Sequence, residues 1–313
     1  MACQIGGPPP GLVVLTCIRS QEPFEDMALF HVLLPSLRRT VTRADLHVLH
    51  GPLCLYLCAD ESDERLVERA KDVRRRASMF PFAGARLFFY SSRAAMREVA
   101  MQAYSDGARL LHPTFDDAVY DKAGWLRDAV SRFPTGALAG LAPEQPMARI
   151  NGTVTISTQL SASGRHRAAS STPQDAGGQR VTTLFTRQHL DIFRELYPGQ
   201  LPHSVLHEWL LSAYKAAQGW QTAQGVEQDL RSRSSAARCT QLPAHRSARV
   251  DSVHCRAHRI MLPLVECGRR AIVAYQSALT SRAPQPQLPI PPPATCLAKA
   301  GAPGAGPVPA PVL

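Results

Sequence analysis

The chain has 313 residues, 45% hydrophobic and only 6% aromatic, which is enough apolar material for one large α/β domain or two small ones. With 35 Lys and Arg against 25 Asp and Glu, the net charge of +10 favours anionic partners, but the arginines are scattered without interleaved aromatics, which argues against a nucleic-acid binder. The longest early apolar run, GLVVLTCI, is far shorter than the ~20 residues of a membrane span and lacks a basic leader, so no span or signal peptide is expected and a cytoplasmic location follows by default.

In chain order, GGPPPG is a flexible entry, and GLVVLTCIRS (11–20) reads as a buried first strand, apolar and β-branched. MALFHVLLPSLRRTV (27–41) has helical spacing of Leu29, Val32, Leu33 and Leu37. LCLYLCADESDE is a second strand that runs out into acids, and DERLVERAKDVRRRA a charged amphipathic helix. ARLFFYSS is a third strand. RAAMREVAMQAYSDG is a helix with Gly107 at its C-cap position. ARLLHPTFDD (108–117) is a fourth strand, disturbed by Pro113, because proline removes a ladder donor. GWLRDAVSRF is the next helix and GALAGLAP another short strand.

Residues 161–180 are small, polar and glycine-rich and read as a flexible insertion. Order returns at TTLFTRQHLDIFRELYPG, followed by two helical regions, SVLHEWLLSAYKAAQGW and residues 250–279. Residues 281–313, rich in Pro, Ala and Gly, should form a disordered tail. Cys17, Cys54 and Cys58 lie in apolar runs and read as buried thiols, with no dense disulfide framework. VHCRAH lacks the second ligand pair that a structural zinc requires.

Alternating strands and helices indicate an α/β domain with a largely parallel sheet. Ligands in such sheets bind beyond the carboxyl ends of the strands. Three features fall at such ends: Thr16 to Ser20, Asp60 to Asp63, and the adjacent carboxylates Asp116 and Asp117. Paired acids there can hold a divalent cation against a phosphate; a solvated turn is the plain alternative.

The stretch Ala103-Tyr104, Asp106-Gly107, Phe115-Asp116-Asp117, Gly124-Trp125 resembles a block found in a protist and viral group of GT-A nucleotide-sugar glycosyltransferases. A second block of that group is matched by Leu184 to Phe193, Tyr197-Pro198 and His207-Glu208-Trp209. Leu34 to Leu37 and the acidic turn Asp60-Glu61-Ser62-Asp63 also fit, so the resemblance covers roughly residues 11–280. It implies a GT-A-like, Rossmann-like fold and transfer of a sugar from a UDP- or GDP-sugar to a hydroxyl of a glycan, protein or other acceptor.

On the same resemblance, Asp117 with Asp116 would hold Mn²⁺ or Mg²⁺, and His245, or alternatively His254, would complete the metal shell. Thr16, Arg19 and Asp60 would frame the nucleotide, and Glu208 would be the general base or orient the acceptor, with His207 beside it. Two departures qualify the match. Phe115 stands where the group has a polar residue, and a phenyl ring accepts no hydrogen bond from a ribose. His207 replaces an acid, although imidazole remains a usable base near neutral pH. A degenerate relative that keeps the fold as a binding or partner protein is therefore the alternative reading.

Overall fold

The structure is a computed structural model, which describes residues 3, 6–20, 23–91, 95–131, 153–160, 179–198, 201, 209–210, 212–214, 261 and 263–277. The chain divides into two compact units, Met1–Leu196 and Tyr197–Leu313. The expected strand at 136–143, residues 161–178 of the expected insertion and the expected tail at 281–313 lie outside the described residues, whereas residues 179 and 180, the end of that insertion, belong to a strand.

The first unit is mixed α/β, built on one seven-stranded sheet with helices packed against it. Its first four strands are β1 (Leu12–Cys17), β2 (Leu53–Asp60), β3 (Gly84–Tyr90) and β4 (Leu110–Pro113). They pair in parallel in the order β3-β2-β1-β4. Five of the six β1 residues and seven of the eight β2 residues are buried, as their continuous apolar sequences predict for strands covered on both faces. The sheet then continues antiparallel through β7 (Gln179–Thr186), β6 (Thr153–Leu160) and the two-residue β5 (Ala118–Val119). The expectation of a largely parallel sheet thus holds for one half only. The missed strand β6 has an alternating sequence, TVTISTQL, which is the period-2 signal of an antiparallel strand.

The helices follow the apolar spacing with local departures. The predicted helix over 27–41 divides into a wide turn at Leu29–Leu33 and α1 (Leu34–Thr40). Pro35 explains the division: without an N–H it cannot donate back into the preceding turn, but it is tolerated at the start of a helix. The short α2 (Arg43–His47) follows. The charged amphipathic segment forms α3 (Glu64–Glu68) and α4 (Ala70–Ala77). Next come α5 (Ala95–Ser105), α6 (Trp125–Ser131) and α7 (Arg187–Phe193). Gly107 ends α5 at φ +83°, the left-handed cap its sequence position predicts. Leucines of β1, β2 and α1 form the core with Val73 and Ala77 of α4 and with Trp125 and Leu126 of α6.

Pro113 does not disturb β4. Leu110 and Thr114 donate to Gly11 and Leu15 on the β1 side, so even-numbered residues face β1 and Pro113 faces β7. The β7 ladder has already ended at Leu111, so no ladder bond is lost.

The described cysteines are not thiols. Cys3 bonds Cys54, and Cys17 bonds Cys58, with Cα separations of 5.9 and 4.4 Å. Cys17 and Cys58 are 41 residues apart in sequence but direct register partners on β1 and β2, a proximity that only strand pairing creates. Cys267 in the second unit is also disulfide-bonded, and no free cysteine occurs among the described residues.

The second unit is described in part. Residues 263–277 are helical, and Trp209, Leu210, Met261 and Leu264 are buried. Glu266 accepts from Arg269 and Arg270, and these bonds, Arg269 foremost, hold its carboxyl down at about 2.

Candidate functional site

The strand order reverses direction between β1 and β4, because β2 and β3 lie on one side of β1 and β4 on the other. Such a switch point opens a crevice at the carboxyl ends of the two strands. β1 brings Thr16 and Cys17 to it, β4 brings Thr114 and the turn that follows, and β2 brings Asp60 alongside.

Phe115 to Ala118 form a tight turn closed by the Ala118 N–H donating to the Phe115 carbonyl at 3.2 Å. Asp116 and Asp117 are its two central residues and are half-buried. Phe115, the departure from the family block, packs against the hydrophobic core and anchors the turn. Ser36 of α1 steadies the far side, its hydroxyl donating to the Leu33 and Ala118 carbonyls at 2.9 and 3.4 Å.

Beneath the turn lies a buried polar chain. His112 is fully buried, with Nδ1 3.1 Å from the Thr183 carbonyl and Nε2 2.5 Å from Tyr120 Oη. A carbonyl only accepts, so Nδ1 carries the proton, and Tyr120 donates to the Nε2 lone pair. Thr114 Oγ1 is 2.9 Å from the same phenol oxygen. Trp125, the tryptophan of the block, stacks on Tyr120 at 4.6 Å between ring centroids. Burial pushes the His112 imidazole down to about 4, only partly opposed by its bond to Thr183, so it is neutral at ordinary pH. These groups flank the Asp116–Asp117 turn on both sides in sequence, and of them only Trp125 was expected from the block. The signal was present in HPTFDDAVY, where polar residues flank the acids on both sides of an apolar strand end.

Thr16 is fully buried, and its hydroxyl has no hydrogen-bond partner among the described residues. Arg19 is exposed, two residues beyond the end of β1. Asp60 accepts from the Ser62 N–H and hydroxyl at 2.9 and 2.7 Å, which makes it the hinge of a local turn. Asp63 caps α3 by accepting from the Leu66 N–H at 3.2 Å and also accepts from the Ser20 N–H at 2.9 Å. It is therefore Asp63 that ties the acidic turn to the segment leaving β1.

The two blocks of the family resemblance meet elsewhere. Tyr104 near the end of α5 donates to Asp191 of α7 at 2.6 Å, and Arg187 lies 3.8 Å over its ring. Asp106 accepts from Tyr56 at 2.7 Å and pairs with Arg86. These motif residues clamp helices to the amino-terminal side of the sheet. His189 is also scaffold: it is fully buried, bonded to the Leu196 carbonyl at 3.0 Å and pushed down to about 4 by burial.

Of the expected site residues, Glu208, His207, His245 and His254 lie outside the described residues, and Thr16, Arg19, Asp60, Asp116 and Asp117 lie within them. Among the described residues no three His, Cys, Asp or Glu side chains gather as a metal cluster. Compared with known proteins, the chain matches no family model and no curated sequence.

Proposed function

We propose that the chain is a metal-dependent glycosyltransferase of GT-A type, moving a sugar from a nucleotide-diphosphate donor to an acceptor hydroxyl. The observation that carries this reading is the Asp116–Asp117 turn at the β1/β4 switch point, together with a buried Thr16 hydroxyl at the end of β1 that has no partner among the described residues. Two adjacent carboxylates are hard oxygen donors suited to Mg²⁺ or Mn²⁺. Such ions are commonly held by one or two carboxylates plus substrate phosphates, so a third protein ligand is not required. The bound ion would neutralise the charge that develops on the diphosphate leaving group.

The chain's own residues bind and orient. The Thr16 hydroxyl donates to the nucleotide, which offers it the acceptor its surroundings lack. Exposed Arg19 meets the donor's negative charge. Phe115 and the His112–Tyr120–Thr114 chain hold the carboxylates in one geometry. Glu208, with His207 beside it, is the base candidate. A relative that keeps the fold without turnover is the second reading, favoured by Asp60 being engaged by Ser62 and by Phe115 packing against the core.

Calorimetric titration with UDP and GDP, with and without Mn²⁺, tests the site. Metal-dependent binding is expected, weakened roughly 10- to 100-fold by Asp117→Ala. Binding that is indifferent to both metal and Asp117 sinks the assignment. Metal-dependent binding without donor hydrolysis or transfer favours the second reading.

A further inference from the structure

The sheet ends on one side at β3, a seven-residue edge strand, GARLFFY, against only two residues at the opposite edge in β5. The Tyr90 carbonyl accepts from the Glu61 N–H on the β2 side at 3.1 Å, so Gly84, Arg86, Phe88 and Tyr90 turn their backbone groups inward. Those of Ala85, Leu87 and Phe89 therefore point away from the sheet. Ser78 Oγ takes the Ala85 N–H at 3.2 Å, and among the described residues no strand pairs with the rest of that edge.

Native proteins guard such an edge with prolines, bulges or charges. β3 has no proline, and its one charge, Arg86, is neutralised by Asp106. All seven residues are half-buried, and four of them are Leu87, Phe88, Phe89 and Tyr90. Met79 and Phe80, which follow Ser78 in the chain, are 52% and 47% exposed. They are two of the four exposed large hydrophobic residues among those described.

We infer that β3 pairs antiparallel with β3 of a second copy of this chain, about a two-fold axis through Phe88, to give one continuous sheet across a homodimer. The edge is self-complementary in that register. Leu87 faces Phe89 of the partner subunit, and each such pair exchanges both N–H···O=C bonds, four in all. On the other face Phe88 meets its own symmetry mate, and Arg86 falls opposite Tyr90 of the partner subunit. Within one chain the Arg86 guanidinium already lies 4.7 Å over Phe88, and Phe88 is stacked on Tyr90 at 6.0 Å, so the dimer extends a cation–aromatic ladder that exists. No like charges oppose each other, and that complementarity favours a second copy over a charged peptide.

Sedimentation equilibrium of the full chain is expected to show a monomer–dimer equilibrium. Leu87→Pro removes an outward N–H, along with a side chain that packs against the core, and should weaken the dimer on the order of 100-fold or more while circular dichroism stays native. Phe88→Cys tests the register. Directly opposed residues of a non-hydrogen-bonded antiparallel pair lie about 4.5 Å apart, within disulfide reach. A disulfide between two copies of residue 88 should be mapped by mass spectrometry, and Tyr90→Cys should give none to itself. If Leu87→Pro does not fold, the Phe88→Cys result decides alone. A chain that stays monomeric at its highest soluble concentration overturns the inference. So does a dimer that never links through residue 88.

Discussion

Thr16 and Thr114 end neighbouring strands, and their hydroxyls have different surroundings. Thr114 joins the Tyr120–His112 chain, whereas Thr16 is buried with no partner among the described residues. An unanswered buried hydroxyl costs the fold about 1–3 kcal/mol. Thr16→Val, nearly the same shape, should therefore leave the thermal midpoint unchanged or raise it, and at the same time weaken nucleotide binding. A midpoint that falls would show that the hydroxyl is satisfied within the fold. Tyr120→Phe has the opposite effect: it leaves the His112 Nε2 lone pair and Thr114 Oγ1 without their shared partner. Urea unfolding should show a loss of about 1–3 kcal/mol, with weaker metal-dependent nucleotide binding if the turn shifts.

Among the elements, α2 is a five-residue helix that matters beyond its length. Thr42 and Asp45 form a reciprocal cap, and the fully buried Asp45 also accepts from the Arg127 N–H of α6 at 3.0 Å. One carboxylate thus fastens two helices, one of which presents Trp125 to the candidate site. Asp45→Ala should destabilise by about 1–3 kcal/mol, read from chemical denaturation, because the Thr42 N–H and hydroxyl and the Arg127 N–H lose their acceptor together. Asp45→Asn should recover part of that loss. The T-x-x-D spacing of this cap is plain in the sequence, but the bond to Arg127, 82 residues away, is not. The same limit applies to Phe115. The sequence marks it as a departure from a polar position, and packing shows it as the anchor of the turn.

For the molecule as a whole, acid should act through the two buried histidines. His112 and His189 are both pushed down from 6.5 to about 4 by burial, so the folded state binds fewer protons than the unfolded one. Their contribution is fully present above pH 6.5 and is lost as pH falls toward 4, on the order of 3 kcal/mol for each. Unfolding free energies measured across that window should fall with a slope approaching two protons. His112→Gln should reduce the slope by about one proton; an unchanged slope would show that this imidazole is not buried and neutral.

The parallel half of the sheet was legible in the sequence, because a strand covered on both faces must be apolar throughout and β1 and β2 have little else. Gly107 was legible as a cap, since a left-handed residue at a helix end favours glycine. Asp116 and Asp117 were legible as a pair at a strand end. Tertiary structure alone decided the antiparallel half, the cysteine pairing and the crevice between β1 and β4. Each depends on which strands become neighbours, and neighbours such as Cys17 and Cys58 are set by register across the sheet. Periodicity reports which face a residue buries; only folding determines what that face is buried against.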